Sequence, residues 1–158
     1  SPTMIKNCMK RSVVSISENA TIRDAAICMS KHHIGLLPVV DVTGRLIGVI
    51  GLPELLSLEL PAFFDLIADL DFVSDFGAVE SSHPSAEEID RSVTTLMQPA
   101  QSVDEDSGML RAYGLMLKHN LSDLPVVSVD GHLVGVVSRV DIGTSILATW
   151  QEIGTPQP

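Results

Sequence analysis

The sequence predicts an α+β fold made of two copies of one unit, joined by an acidic insert. Three observations carry this. Residues 124–141, LPVVSVDGHLVGVVSRVD, read as strand, turn, strand and the start of a helix: two apolar, β-branched runs flank an Asp130-Gly131 turn. The same pattern stands 87 residues earlier, at 37–55, as LPVVDVTGRLIGVIGLPEL. Extended backwards without a gap, residues 21–55 pair with 108–142, and 13 of the 35 positions are identical, among them Ala25/Ala112, Met29/Met116, Pro38/Pro125 and Gly48/Gly135. An internal repeat of this length decides the architecture before any single element does. One unit of about 50 residues buries little core by itself; two packed face to face bury enough.

The elements follow in order. Residues 1–10 form a lead-in, with Ile5 and Met9 spaced for a turn of helix. Residues 12–17 alternate and are β-rich, which predicts a short strand. Thr21 with Asp24 makes a capping box that opens a helix running to about His33, with Ile22, Ala25, Ala26 and Met29 as its apolar stripe and Gly35 as its stop. Strands at 37–42 and 46–50 follow, and Pro53 then sits in the first turn of a helix over 54–60. The second copy repeats this order: lead-in 93–97, short strand 101–103, helix 109–119, hairpin, and a closing helix 140–150. The predicted boundaries are 1–57 for the first repeat, 58–92 for the insert, 93–150 for the second repeat and 151–158 for a tail that reads as disordered at its end.

Charge separates the insert from the repeats. The chain carries a formal net charge of −10, yet no Lys or Arg falls between Arg45 and Arg91, and ten of the twenty acids lie from Glu54 to Asp90. All four phenylalanines, Phe63, Phe64, Phe72 and Phe76, also fall in the insert. Residues 61–72 read as a helix with Phe63, Leu66, Ile67 and Leu70 on one stripe. A second capping box, Ser85 with Glu88, predicts a short helix after Ser85. The apolar set calls for burial on an outer surface, where it would cover or extend a dimer interface.

Several function classes are disfavoured. The acidic balance argues against nucleic acid as a partner. No apolar run is long enough to span a bilayer, and no secretory leader is visible. Cys8 and Cys28 make no disulfide framework and suit a reducing cytoplasm; Cys28, beside the apolar stripe, reads as a small core residue. His32, His33 and His119 fall near helix C-termini, where an imidazole is favourable without a metal. No phosphate-binding Walker loop, nucleophile elbow or nucleophile–base pair appears, so no enzyme is expected. The scattered acids of the insert read as a solvated face before a cation site. What remains is the polar run at the end of the second hairpin. Ser138 and Asp141 either cap the helix that follows or form an anion-friendly site at its N-terminus.

Two copies of helix, LPVV, turn, Gly-apolar strand and a closing Ser/Thr-x-x-Asp resemble a tandem pair of cystathionine-β-synthase (CBS) domains. The resemblance covers nearly everything outside the insert and tail. It implies two β-α-β-β-α repeats packed sheet to sheet about a pseudo-two-fold axis, with two clefts between them and a homodimer as the usual assembly. It also implies a regulatory rather than catalytic role, exerted on a protein or domain outside this chain. The ligand implied is adenosine-containing: AMP, ADP, ATP or S-adenosylmethionine, none of them a required cofactor. By resemblance, Ser138 contacts phosphate and Asp141 the ribose hydroxyls, with Arg139 adding charge-assisted contacts; a carboxylate can accept from both ribose hydroxyls. Ser12, Val13, Val14, Ile34 and Gly35 of the first copy would hold the adenine edge. The other cleft is weaker: Gly51 and Glu54 replace the hydroxyl and the Asp, opposite Gln101, Leu121 and Ser122. The same degeneracy admits an alternative reading, a dimerisation scaffold with vestigial clefts.

Overall fold

The structure is a computed structural model that describes residues 3–59 and 83–154. The first repeat contains β1 (Ile16–Ser17), α1 (Ile22–His32), β2 (Leu36–Val40), β3 (Leu46–Gly51) and α2 (Leu52–Leu56). A short helix, α3 (Ala86–Ile89), ends the insert. The second repeat contains β4 (Val103–Asp104), α4 (Met109–Lys118), β5 (Asp123–Val127), β6 (Leu133–Ser138) and α5 (Arg139–Ala148), followed by a 3-10 turn at Thr149–Glu152. The two-copy α+β architecture is therefore the observed one.

The copies match at the level of register. Each forms a three-stranded sheet in sequence order, with the short first strand parallel to the second and the second antiparallel to the third. Ile16 faces Val39 and Val39 faces Gly48; 87 residues on, Val103 faces Val126 and Val126 faces Gly135. Even the register shift recurs, between Val39 and Val40 and between Val126 and Val127. Leu37, Pro38 and Val39 are buried in succession, as are Leu124, Pro125 and Val126. Three buried residues in a row mean that both faces of the strand are covered. The two hairpin turns also bond to each other. Leu46 N–H donates to Gly131 C=O and Leu133 N–H to Gly44 C=O, both at 3.1 Å. Gly44 and Gly131 sit at φ 87° and 85°, where a side chain would be strained.

Helix α1 starts as expected. Thr21 Oγ1 accepts from Asp24 N–H and the Asp24 carboxylate accepts from Thr21 N–H. Its buried stripe, Ile22, Ala25 and Met29, recurs in α4 as Met109, Ala112 and Met116. Its stop differs from expectation: His33, not Gly35, takes the left-handed position at φ 53°, and Asn120 does the same after α4 at φ 52°. The first strand is also shorter than predicted, because only Ile16 and Ser17 find partners on β2. Helix α2 begins two residues early, with Pro53 inside its first turn. The capping box at Ser85 and Glu88 is present. The predicted Phe-bearing helix at 61–72, the remainder of its apolar set and the end of the tail lie outside the described residues.

The lead-ins are exchanged. Ile5 is fully buried, and its neighbours are Val103, Met109, Ala112, Met116 and Leu124 of the second repeat. Val93, equally buried, packs with Ala25, Met29, Leu37, Val39 and Ile50 of the first. Backbone bonds hold both in place: Ile5 N–H to Ser107 C=O at 2.9 Å, Met109 N–H to Thr3 C=O at 2.8 Å, and Val93 N–H to Ala20 C=O at 2.9 Å. Each lead-in then crosses the third strand of the repeat it has joined, Lys10 pairing with Val136 and Gln98 with Val49. The repeated glycines lie under these crossings. A Cβ on Gly135 would fall 2.7 Å from the Lys10 carbonyl oxygen, and one on Gly48 would fall 2.9 Å from that of Gln98 while running into Met97. That close approach gives Gly48 and Gly135 a physical reason to be glycine in both copies.

Candidate ligand cleft

The crossing of the first lead-in makes a cavity. After pairing with Val136, the chain runs through Ser12, Val13 and Val14 towards β1 and forms one wall. Ile34, Gly35, Leu36 and Pro38 form a second wall, and Asp123 and Val136 a third. The cavity measures about 320 Å³, near the lower end of the roughly 300–1,000 Å³ usual for small-molecule sites. All five residues expected at the adenine edge, Ser12, Val13, Val14, Ile34 and Gly35, line this one cavity.

Ser138 and Asp141 stand at the junction of β6 and α5. Ser138 Oγ accepts from Asp141 N–H, and Asp141 Oδ2 accepts from Ser138 N–H, each at 3.0 Å. The reading of these two residues as a helix cap therefore holds. It leaves Asp141 Oδ1 3.7 Å from Lys10 Nζ, which belongs to a residue lining the cavity. The Asp141 side chain is 16% exposed and that of Lys10 67%, so the carboxylate is held while the ammonium is free to swing. Capping and ligand contact are thus compatible, since each uses a different oxygen.

Arg139 departs from expectation. Its Nη2 donates to Met116 C=O and to Asn120 Oδ1, both at 3.4 Å, its Nε donates to Leu121 C=O, and its N–H donates to Ser122 C=O at 3.1 Å. The guanidinium is engaged by oxygens at and just beyond the C-terminus of α4, where Met116 C=O also accepts from Leu121 N–H at 2.8 Å, and Arg139 is not among the residues that line the cavity. The cation there is Lys10. Sequence reasoning missed Lys10 because it was read as part of a lead-in packed on its own repeat. It also missed Asp123, the residue just before the second LPVV. Burial pushes the Asp123 carboxyl above the ordinary carboxylate range; nearby Lys10 opposes this and Asp141 reinforces it.

The pseudo-equivalent set in the first repeat is chemically poorer. Glu54 Oε1 accepts from Gly51 N–H at 2.9 Å, as Asp141 does from Ser138, but Gly51 brings no hydroxyl. Leu52 N–H donates to Gly35 C=O at 3.1 Å, as Arg139 does to Ser122. Gln98 stands where the other crossing has Lys10, and Leu36 where it has Asp123. Leu121 and Ser122 lie in the turn before β5, and Gln101 is exposed ahead of β4.

The fold and the repeat define a class. The CBS domain pattern matches residues 5–60 and again 91–147, and the chain belongs to the CBS domain family as a tandem pair. An uncharacterised protein of Methanocaldococcus jannaschii is 29% identical over 150 residues, covering 88% of each chain. Among solved structures, CBSX2 of Arabidopsis thaliana superposes with a TM-score of 0.70 at 21% identity, covering 96% of this chain and 99% of the other; CBSX2 is also known in complex with AMP. The CBS domain pair of protein MJ0100, in complex with 5′-methylthioadenosine and S-adenosylmethionine, gives a TM-score of 0.63 at 22% identity, covering 93% and 98%. No described helix is long and apolar enough to cross a membrane.

Proposed function

We propose that this CBS pair is a regulatory module that senses an adenosine-containing ligand in the cavity between its repeats. The observation that carries the reading is the convergence of Ser12, Val13, Val14, Ile34 and Gly35 on one cavity whose far side holds Lys10, Asp123 and, through Lys10, Asp141. The apolar and backbone edge suits adenine, and the free Asp141 oxygen suits a ribose hydroxyl. Lys10 is free to leave Asp141 for a phosphate. The complexes of CBSX2 with AMP and of the MJ0100 pair with S-adenosylmethionine support this ligand class. With Arg139 engaged elsewhere, one lysine faces two carboxylates. That balance favours a monophosphate or a sulfonium over a triphosphate. Both repeats wall the cavity, so a ligand that fits one arrangement better than another shifts the pair towards it. An attached or partner protein would read that shift.

Calorimetry with AMP, S-adenosylmethionine and ATP tests the reading. The expected result is one site per chain, with ATP the weakest. Asp141→Asn keeps an oxygen for the Ser138 N–H but loses the charge, and should weaken binding about tenfold. Two equal sites, no binding, or an unaffected variant would overturn it.

A homodimer is the second part of the proposal. Leu110 and Leu117 share a face of α4, and Val140 and Leu147 share a face of α5, seven residues apart in each case. All four are exposed, Leu110 at 74% and Val140 at 70%. Paired apolar rows on two packed helices suit a second copy. Sedimentation of Leu117→Glu beside wild type tests this, and an equally tight dimer would remove that face from the interface.

A further inference from the structure

The ligand cleft holds one charge that the fold does not require. Asp123 is the first residue of β5 and lines the cavity. In the register of the second sheet it stands directly opposite Ser138. Residues paired in this way project their side chains to the same face, so the carboxylate is placed beside the Ser138 and Asp141 cap. Asp123 is half-buried, and among the described residues its side chain has no hydrogen bond and no ion pair. Taking a carboxylate out of water without a partner is costly. The same position in the first repeat is Leu36, which starts β2 and lines another wall of the same cavity. An apolar residue thus serves the strand equally well, and the acid needs a reason outside the fold.

The charges around it limit what that reason can be. The titratable side chains that line the cavity are Lys10, His33 and Asp123. Lys10 already has a carboxylate within reach, Asp141 Oδ1 at 3.7 Å from its Nζ. The Arg139 guanidinium is engaged at the end of α4. Asp123 is therefore the charge of the cleft left without a matching cation. A cationic group of a ligand beside it would supply one, and a phosphate in the same place would meet like charge. The raised carboxyl pKa of Asp123 has the same origin, since burial and Asp141 both disfavour a further negative charge there.

We propose that Asp123 sets ligand choice in this cleft, selecting an adenosine ligand whose 5′ substituent is a cationic sulfonium over one that carries a phosphate. The assignment rests on the adenosine reading and narrows it. Selection arises from a charge that attracts one ligand and repels the other, while contacts common to both contribute nothing to the choice.

Calorimetry with three ligands of different charge tests it: AMP, neutral 5′-methylthioadenosine and S-adenosylmethionine. At about pH 7.5 an ordinary imidazole is neutral, which keeps His33 from supplying a second cation. Wild type should bind S-adenosylmethionine about tenfold or more tightly than AMP. Asp123→Asn removes the charge and keeps the size of the side chain; Asp123→Leu installs the residue type of the first repeat. Both variants should weaken S-adenosylmethionine about tenfold, strengthen AMP, and leave 5′-methylthioadenosine within about twofold of wild type. A merely structural role for Asp123 would move all three ligands together. Thermal melts of both variants should show the fold retained, so that the changes report on the cleft. AMP bound by wild type as tightly as S-adenosylmethionine, or a parallel change in all three ligands, would overturn the role of Asp123 and leave the adenosine reading standing. No binding of any of the three would overturn both.

Discussion

Ile5→Ala is expected to unfold the wrong repeat, judged by position in the chain. Ile5 precedes the first repeat but is fully buried among Val103, Met109, Ala112, Met116 and Leu124 of the second. The substitution removes three carbons. At about 0.8 kcal/mol each the lost transfer energy is about 2.4 kcal/mol, and the cavity left behind raises the total to about 3 kcal/mol. For a chain of this length that corresponds to a fall in Tm of roughly 6–12 °C. Urea denaturation followed by tryptophan fluorescence gives the total, since the single Trp150 lies just beyond α5. Hydrogen exchange gives the location: protection should fall first at Met109 to Met116 and Leu124 to Val126, with Ala25 to Met29 less affected. A loss below about 1 kcal/mol, or one confined to the first repeat, would refute the exchanged packing.

Further expectations come from other residues. Gly135→Ala should destabilise by about 1–3 kcal/mol, because its Cβ meets the Lys10 backbone, which cannot step aside. Gly114→Ala, in the middle of α4 with open space around it, should instead stabilise by about 0.5–1 kcal/mol; denaturation midpoints of the two variants check both signs. Asp123 has a raised carboxyl pKa in the folded state, so its favourable contribution is complete below the ordinary carboxylate value and is lost as pH rises through the raised one. Asp123→Asn should therefore flatten stability against pH across that window and stabilise the protein at neutral pH; an unchanged slope would contradict the burial argument.

Where local chemistry decides, the sequence was readable. The two capping boxes at Thr21 and Ser85 and the Asp130-Gly131 turn depend on neighbours within a few residues, and each stands where its pattern placed it. Ser12, Val13, Val14, Ile34 and Gly35 were singled out by the family resemblance and not by local chemistry, and the fold brings all five to one cavity. The failures at Lys10 and Arg139 share one cause, which is distance along the chain. Lys10 reaches Asp141 only because the first lead-in joins the other repeat. Arg139 turns away because Met116, Asn120 and Leu121 offer it oxygens, and that depends on where α4 ends. The stop of α1 at His33 came from a side chain tolerating the left-handed region, while the glycine two residues later was the stronger local signal.

The exchanged lead-ins also bear on how such a chain could arise. A single unit standing alone would have an uncovered strip over Gly48 or Gly135 and a hole where Ile5 or Val93 belongs. In the pair each defect is filled by the lead-in of the other copy. Two identical half-length chains could repair both by trading their first ten residues, which is a domain-swapped homodimer. Joining such chains end to end changes nothing inside the pair and makes the trade permanent. Such a joining converts a concentration-dependent partnership into an intramolecular one and leaves the two halves free to differ, as Ser138 and Asp141 differ from Gly51 and Glu54.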